Sequence, residues 1–326
     1  MSARPVTGEL QRIFPLRWRM TREYRLPQGV LGEPYFISWD PSPYPTGEGW
    51  NGIAFHDDGV ININTFRNPV QIAQYALYQY RFATNGDGTA RERFLAQARY
   101  LASAQRPDGG YEYPIALPAY NAKPGFLSGM PQGEAASVLI RAYALTKDET
   151  LLSAGLRALG PLRRDVREGG ASYLRDGAVC FEEVAAEPLC HILNGHLYAA
   201  FGVWEYIKHG FADDALKKLH DNAIDTLDRW IERYDVDGWS CYDLAADNAG
   251  RLHLAPLWYH QFHIAQLHIY TAMTGNDRFA AVAERWSLAM KRLDVRARVW
   301  QYGAGSLARS LRRRITGASV SHFIPK

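Results

Sequence analysis

The sequence predicts a mainly α-helical fold built from helical hairpins, and three observations support this prediction. Apolar residues make up 47% of the 326 residues, which is enough for a large core. From Pro69 onward the apolar positions recur with the period of an α-helix. Loops rich in glycine, such as VDGWSCYD, separate these helical stretches. A chain of antiparallel helices of this kind closes into an α/α toroid or stays an open solenoid, and periodicity alone does not decide between them.

The N-terminal segment, residues 1–66, is predicted to be irregular because prolines interrupt any helical pattern there. It contains one predicted β-hairpin, which joins GIAF to GVININ across a turn at 56–59. The helical domain, residues 67–326, begins with PVQIAQYALYQYRFA, whose Pro69 suits the first turn of a helix. We predict that the N-terminal segment packs on this domain. The predicted helices span 69–83, 90–105, 132–146, 148–160, 193–209, 212–232, 256–274, 276–292 and 304–314.

Composition and cysteine usage narrow the class of protein. The formal net charge of +3 is too small to require a nucleic-acid partner. Cys180, Cys190 and Cys241 are odd in number and lack CxxC spacing, so we expect neither a disulfide framework nor the usual kind of zinc site. The sequence has no run of about 18 apolar residues, and we therefore predict no membrane span. It also has no apolar stretch of signal-peptide type near the N-terminus, which favours a cytoplasmic location.

The stretch 242–267 carries an unusual helix. Tyr259, His260 and His263 lie near one face of it, where an ordinary amphipathic helix would bury apolar side chains. Buried polar groups cost free energy unless they are paired, so this face indicates a ligand or a polar network. No carboxylate stands beside the two histidines as the glutamate does in HExxH, and we do not expect zinc on this helix.

This stretch resembles the D-glucuronyl C5-epimerase family. In that family a Tyr-Asp-Leu segment precedes a helix with the pattern Tyr-His-x-x-His-Ile-x-Gln-Leu, and residues 242–244 and 259–267 are similar to these two motifs. The family's catalytic domain is an α/α barrel, so the resemblance implies an α/α toroid as the catalytic domain over 67–326. Further blocks resemble the family in the same order, namely PVQIAQYALYQY, AQRPDGGYEYPI, GMPQGEAASVLIRAYALTKD and FEEVAAEPLCHILNGHLYAAFG.

The resemblance implies epimerisation at C5 of a uronate residue in an acidic polysaccharide, of the glucuronate-to-iduronate type. The C5 hydrogen is α to the carboxylate, so inversion needs a base on one face of the sugar and an acid on the other. Donors must also stabilise the enolate-like charge. By the resemblance, Glu183 and Tyr259 form the acid–base pair and Tyr242 assists them. This chemistry needs no metal or organic cofactor.

The matched blocks also supply the side chains that we expect to bind the substrate. Two positions depart from the family pattern: Val184 replaces an active-site tyrosine, and Ala245 replaces an arginine that follows Tyr-Asp-Leu. Arg67, Arg251 or His253 could supply the missing cation. The expected substrate-binding residues are Gln132, Glu182, Asn194, Arg251, His260 and His263.

Each of these assignments has a structural alternative. Glu183 could pair with an arginine at the surface, and Asn194 could cap the helix that begins at Gly195. His263 could be a core histidine whose hydrogen bonds are satisfied within the protein. A structural calcium ion could bind the aspartate-rich loops at 57–58 or 235–237, and the chain could form a homodimer.

Three other functions remain open at this point. A polysaccharide lyase would begin with the same C5 proton abstraction and then eliminate the substituent at C4. A glycoside hydrolase would use paired carboxylates such as Glu182, Glu183 or Asp243. A non-catalytic glycan-binding relative would fit the departures at Val184 and Ala245.

Overall fold

The computed structural model describes residues 23–38, 49–63, 65–246 and 252–316. Within these ranges the chain is mainly helical, which confirms the predicted class. The helices are α1 (Pro69–Ala83), α2 (Gly88–Ser103), α3 (Gly129–Thr146), α4 (Glu149–Ala158), α5 (Leu193–Lys208), α6 (Asp214–Trp230), α7 (Leu257–Thr274), α8 (Asp277–Ala289) and α9 (Leu293–Thr316). The strands are β1 (Ala54–Phe55), β2 (Ile61–Asn62), β3 (Glu112–Tyr113), β4 (Phe126–Leu127), β5 (Ser172–Arg175), β6 (Ala178–Phe181), β7 (Asp235–Val236), β8 (Trp239–Ala246) and β9 (Leu252–Leu254).

The first eight helices form two layers. Helices α1, α3, α5 and α7 pack side by side in chain order, and each contacts the helix that follows it in the sequence. Helix α5 is buried on every side over most of its length, whereas α6 buries one stripe that includes Leu216, Ala223 and Leu227. An amphipathic stripe of this spacing is what a helix of an outer layer needs. The helical hairpins are therefore present, and their closure into a toroid stays a prediction.

Helices α3 and α5 cross with their backbones in contact. A Cβ atom at Gly133 would lie 2.4 Å from the Cα of Ala199, so this position needs glycine. The same two helices share a buried ion pair, in which Arg141 Nη2 lies 2.7 Å from Glu205 Oε1. The crossing sets the position of α5, whose first turn lies at the candidate site described below.

The described part of the N-terminal segment lies against the helices. Arg141 Nε donates a hydrogen bond of 2.8 Å to the carbonyl oxygen of Glu33. The buried ring of Phe36 packs edge-on against Phe201 and Trp204 of α5. The predicted hairpin forms, since Ala54 and Phe55 of β1 pair antiparallel with β2. Among the helices described, none combines the length and the apolar character that crossing a bilayer requires.

Two further hairpins position the candidate site, and each turns on an Asp-Gly pair. Strands β5 and β6 are joined by Asp176-Gly177, and β7 and β8 by Asp237-Gly238, with positive φ at all four residues. This is the type I′ turn that Asp-Gly favours. The sequence VDGWSCYD is therefore a hairpin that leads into an eight-residue strand, where we had predicted a loop.

Candidate active site

Glu183 lies two residues beyond β6, in a segment that leads towards α5. Its backbone neighbourhood is fixed, because Glu182 N donates to the carbonyl oxygen of Ala171 and Glu182 O accepts from Gly129 N. The Glu183 side chain packs against the first turn of α5. A Cβ atom at Gly195 would lie 2.4 Å from the Glu183 Cβ, so only glycine leaves room for this side chain.

Tyr242 and Tyr259 meet Glu183 from two other elements. Tyr242 projects from β8, and its hydroxyl donates a hydrogen bond of 3.4 Å to Glu183 Oε1. Its ring packs edge-on against the ring of Tyr259 in α7, with the ring centroids 4.8 Å apart. The fold thus brings together the three side chains that the sequence predicts to be catalytic. We call Glu183, Tyr242 and Tyr259 the carboxyl–phenol cluster.

The charge state of Glu183 is set mainly by burial. Burial raises the pKa of Glu183 to about 7, against the smaller lowering effects of hydrogen bonding from Tyr242 and Asn194, and the charge of Asp243 also raises it. The second carboxylate oxygen, Oε2, makes no hydrogen bond of standard geometry with the described residues. At neutral pH this carboxyl group therefore occupies both its protonated and its ionised form, as a reversible base requires.

The two tyrosines are held as neutral phenols. Burial, and then the charge of Glu183, raise the pKa of Tyr259 far above its ordinary value. Burial, Glu183 and Tyr259 do the same for the pKa of Tyr242. Both hydroxyl groups therefore keep their protons at neutral pH and are available as hydrogen-bond or proton donors.

A second carboxylate, Asp243, lies beside the cluster and is fully buried. It accepts hydrogen bonds from Ala245 N at 3.1 Å and from the Tyr120 hydroxyl at 3.4 Å. Its Oδ2 also lies 3.1 Å from Nδ1 of His253, a half-exposed side chain on β9. Three partners occupy this carboxylate, so Asp243 is a support for its neighbours and has little capacity left for a reacting sugar.

Tyr120 is a member of the site that the sequence did not single out. It belongs to the short 3-10 helix Pro118–Tyr120. Its hydroxyl donates to Asp243, and burial raises its pKa, with the charges of Asp243 and Glu183 adding to that rise. Nothing in its sequence neighbourhood marks it beyond the general excess of aromatic residues.

The predicted substrate-binding residues divide into two groups. Asn194 lies at the start of α5 near Glu183, and its Oδ1 has no partner among the described residues. The residue before the first turn of α5 is Ile192, so Asn194 does not cap this helix. Glu182, although adjacent to Glu183, turns away to His191, whose backbone N and Nδ1 lie 3.1 and 2.5 Å from its carboxylate oxygens. Arg251 lies outside the described residues.

The two histidines of α7 do not join the cluster. His260 stacks on Trp239 with a centroid distance of 3.8 Å, and its Nδ1 lies 2.8 Å from Ser240 Oγ. His263 Nδ1 lies 2.9 Å from the same hydroxyl oxygen. Both rings are fully buried. This geometry supports a core role for His260, whose Nε2 also lies 3.3 Å from the carbonyl oxygen of Trp286. His263 is satisfied only at Nδ1, because its Nε2 has no partner among the described residues.

Gln132 is also a structural residue. Its buried amide, oriented to satisfy the surrounding backbone, donates to the carbonyl oxygens of Ala158 and Gly109 and accepts from Tyr111 N. These bonds connect the loop at Gly109 and Gly110 to the end of α4. The side chain therefore has no capacity left for a sugar at the carboxyl–phenol cluster.

The remaining polar expectations concern cations and calcium. Arg67 is paired with Asp58, whose Oδ2 lies 2.5 Å from its Nη1, and does not take part in the cluster. The aspartates at 235–237 are paired as well, Asp235 with Arg285 at 2.9 Å and Asp237 with a second arginine at 2.7 Å. Arginine partners occupy the carboxylates of Asp58, Asp235 and Asp237, and calcium binding at these loops stays a prediction. The other departure, Val184, is buried next to Glu183.

Comparison with known proteins agrees with this geometry. The family described as D-glucuronyl C5-epimerase C-terminus matches residues 105–288. A D-glucuronyl C5-epimerase of Caenorhabditis elegans is 26% identical over 209 residues, which are 59% of this chain and 34% of the relative. The chain thus spans about a third of the length of that curated relative. The matched region contains Glu183, Tyr242 and Tyr259 together with the helices that carry them, and the chain belongs to the D-glucuronyl C5-epimerase C-terminus family.

Proposed function

We propose that the chain epimerises C5 of uronate residues in an acidic polysaccharide, with glucuronate and iduronate as the exchanged pair. One observation carries the proposal: a buried carboxyl group with a pKa of about 7 is hydrogen-bonded to a phenol that packs on a second phenol. The glucuronyl specificity is the one named for the Caenorhabditis elegans relative.

In the proposed reaction, ionised Glu183 removes the C5 proton from one face of the sugar. The electron pair of the broken C–H bond delocalises into the substrate carboxylate and gives an enolate-like intermediate. Tyr259 then donates its phenolic proton to C5 from the other face. Glu183 is left protonated and Tyr259 ionised. Tyr242 restores both groups by accepting the proton of Glu183 and donating its own to Tyr259, so that no net proton is gained or lost.

The substrate carboxylate needs a partner in place of the cation that is missing at Ala245. We propose that His253 takes this role, because Asp243 Oδ2 lies 3.1 Å from its Nδ1 and holds the ring in place beside the carboxyl–phenol cluster. Its side chain is 45% exposed, so it can reach a polymer that is bound at the surface. The Tyr120 hydroxyl, which also contacts Asp243, offers a second donor.

The rival functions have less support from the arrangement of carboxylates. A glycoside hydrolase needs two carboxyl groups that face one glycosidic bond. Glu182 is bonded to His191 and Asp243 to three partners, which leaves Glu183 without a second free carboxylate in this group. A lyase shares the first step and differs only in the fate of the intermediate, so product analysis separates it from an epimerase.

For the architecture we propose that the helical hairpins close into a toroid with the cluster at one end. The side-by-side packing of α1, α3, α5 and α7 in chain order supports this arrangement. A small-angle scattering profile distinguishes the compact toroid from an elongated open solenoid. An elongated profile would refute closure into a toroid and would leave the proposed reaction unaffected.

The experiment that tests the function is incubation of the full chain with glucuronate polymers in deuterated water. We expect deuterium at C5, appearance of iduronate in the NMR spectrum and an intact polymer. Absorbance from an unsaturated uronate would assign the chain as a lyase, and new reducing ends would assign it as a hydrolase. Binding without deuterium incorporation into any uronate polymer would show a glycan-binding protein and overturn the proposal.

A further inference from the structure

A second cluster of reactive side chains lies on the other side of the Glu183 segment. The ligand atoms of Cys180, Glu182 and His191 all lie within 4.8 Å of one another. Cys180 is a buried residue of β6. The side chain of Glu182 is 1% exposed and that of His191 is 16% exposed. The catalytic proposal above uses none of the three, although Glu182 directly precedes Glu183 and Cys180 lies three residues before it.

The imidazole of His191 is held in position from several directions. Its ring packs against both Tyr173 and Trp230, with centroid distances of 5.2 and 5.0 Å. The backbone of His191 adopts a φ of 52°, which non-glycine residues rarely do. The hydroxyl of Tyr234 secures that conformation by donating to the His191 carbonyl oxygen at 2.7 Å. Side chains that bind ligands are commonly fixed in this way before the ligand arrives.

The cluster offers a cation three different donor atoms, namely sulfur, oxygen and nitrogen. A thiol and a carboxyl group are buried side by side, and burial, followed by the charge of Glu182, raises the pKa of Cys180 well above its ordinary value. A divalent cation would neutralise both groups, and its binding would release the thiol proton to solvent. Sulfur, nitrogen and oxygen donors together are the set that zinc accepts, whereas calcium and magnesium require oxygen donors.

We propose that Cys180, Glu182 and His191 bind a zinc ion, with a fourth coordination position left for water. The ligands of a tetrahedral zinc ion lie roughly 3.3–3.8 Å apart. His191 Nδ1 and Glu182 Oε1 lie 2.5 Å apart and would separate by about 1 Å to bind the same ion. The ligand atoms lie at most 4.8 Å apart, so side-chain rotations bring them to zinc geometry. The expectation from cysteine spacing misses this site, because its ligands come from a strand and from a distant loop and form no CxxC pattern.

The position of the ion indicates a structural role at the candidate active site. It joins the end of β6 to His191, which lies two residues before α5 begins, and so it links the two ends of the segment that carries Glu183. Only this positioning role rests on the proposed function. Zinc binding itself is measured by metal content and spectrum, so it stands or falls independently of any epimerase activity.

The test begins with the metal content of the purified full chain and of the chain after chelation and addition of zinc. We expect about one zinc ion per chain, as one tetrahedral site predicts. Addition of cobalt(II) to the chelated chain is expected to produce the near-ultraviolet charge-transfer band of a cobalt–thiolate bond. Absence of that band, together with less than a tenth of the expected zinc, would falsify the site and leave a Glu182–His191 hydrogen bond beside a protonated thiol.

Variants assign the ion to these residues. Cys180→Ala should remove the cobalt–thiolate band, and His191→Ala should weaken zinc binding by at least about tenfold, since even indirect partners of metal ligands contribute that much. Cys241→Ala is the matched control, because Cys241 is an equally buried free thiol outside the cluster. A band that survives in Cys180→Ala, or one that is lost in Cys241→Ala, would place the metal elsewhere. If a variant fails to fold, the wild-type cobalt spectrum still decides whether a thiolate binds the metal.

Discussion

Adjacent residues of α7 have opposite surroundings. Tyr259 meets Tyr242 and Glu183, where a carboxylate oxygen remains without a standard hydrogen bond among the described residues. His260, the next residue, stacks on Trp239 and bonds to Ser240. Both side chains are polar and buried, so burial does not distinguish them. What distinguishes them is whether the neighbours already satisfy the polar atoms, and this decides which residue can act on a substrate.

The pKa values follow the same division. Burial lowers the pKa of His260 to about 3, so its imidazole stays neutral and does not exchange protons at neutral pH. Burial raises the pKa of Glu183 to about 7, which places that group in the range where a general base is effective. Burial disfavours the charged form of both groups. The charged form is a cation for the histidine and an anion for the glutamate, so burial keeps His260 neutral and brings the pKa of Glu183 close to 7.

The largest expected effect tests the active side of this comparison. Tyr259→Phe should lower the rate of iduronate formation from glucuronate by about 1000-fold or more, as loss of a general acid implies, with unchanged circular dichroism. Tyr270→Phe is the matched control, since Tyr270 is buried in the same helix and its hydroxyl has no partner among the described residues. Near-normal iduronate formation by Tyr259→Phe would remove that residue from the acid–base pair.

The second prediction tests the structural side. His260→Ala should destabilise the protein by about 3 kcal/mol, because it leaves a cavity beside Trp239 and removes the partner of Ser240. The exchange rate per folded molecule should change by less than about twofold. Urea denaturation and the deuterium assay measure the two quantities. A variant of normal stability with no exchange would reverse the roles assigned to the two residues.

The third prediction concerns stability and pH. The pKa of Glu183 is raised from 4.5 to about 7 on folding, so wild-type stability is complete below pH 4.5 and falls as the pH rises through 7. Glu183→Gln keeps the group neutral. It should therefore be more stable than wild type by about 2–3 kcal/mol at pH 8 and equally stable at pH 4, while losing C5 exchange. Denaturation curves of both proteins at the two pH values measure this difference in stability. If wild type and Glu183→Gln were equally stable at both pH values, Glu183 would not be buried as described.

The smallest effect is expected at the residue between base and acid. Tyr242→Phe removes the hydroxyl that lowers the pKa of Glu183, so the pH at half-maximal exchange should move above 7. The maximal rate should fall about tenfold, because proton return to Tyr259 then depends on water. A pH–rate profile of the two proteins measures both changes. An unshifted midpoint would argue against the hydrogen bond between Tyr242 and Glu183.

Much of the fold could be predicted from the sequence, because the spacing of apolar residues along a helix follows from which of its faces is buried. The predicted start of α1 at Pro69 is confirmed, and the helices up to α8 agree within three residues. The prediction of 304–314 for the last helix was wrong at its start, because α9 begins at Leu293. The strand that carries Tyr242 could not be predicted with equal accuracy, since Asp237-Gly238 is read as a loop as easily as a type I′ turn.

The candidate site was partly predictable for a related reason. Tyr242, Tyr259 and Glu183 belong to family motifs, and the fold brings them together. The roles of His260 and His263 could not be predicted, because their partner Ser240 precedes them by a strand and a turn that the helical pattern does not describe. Which polar face of a helix meets a substrate depends on such distant partners.

The close approach of Gly195 to Glu183 has one more consequence. Gly195 is the third residue of α5, so the carboxyl group rests on the first turn of a helix, where backbone N–H groups lack partners within the helix. The helix dipole gives that end a partial positive charge, which stabilises an anion by about 0.3–1 kcal/mol. Because Gly195 has no side chain, Glu183 can approach the helix end whose partial positive charge favours its ionised form.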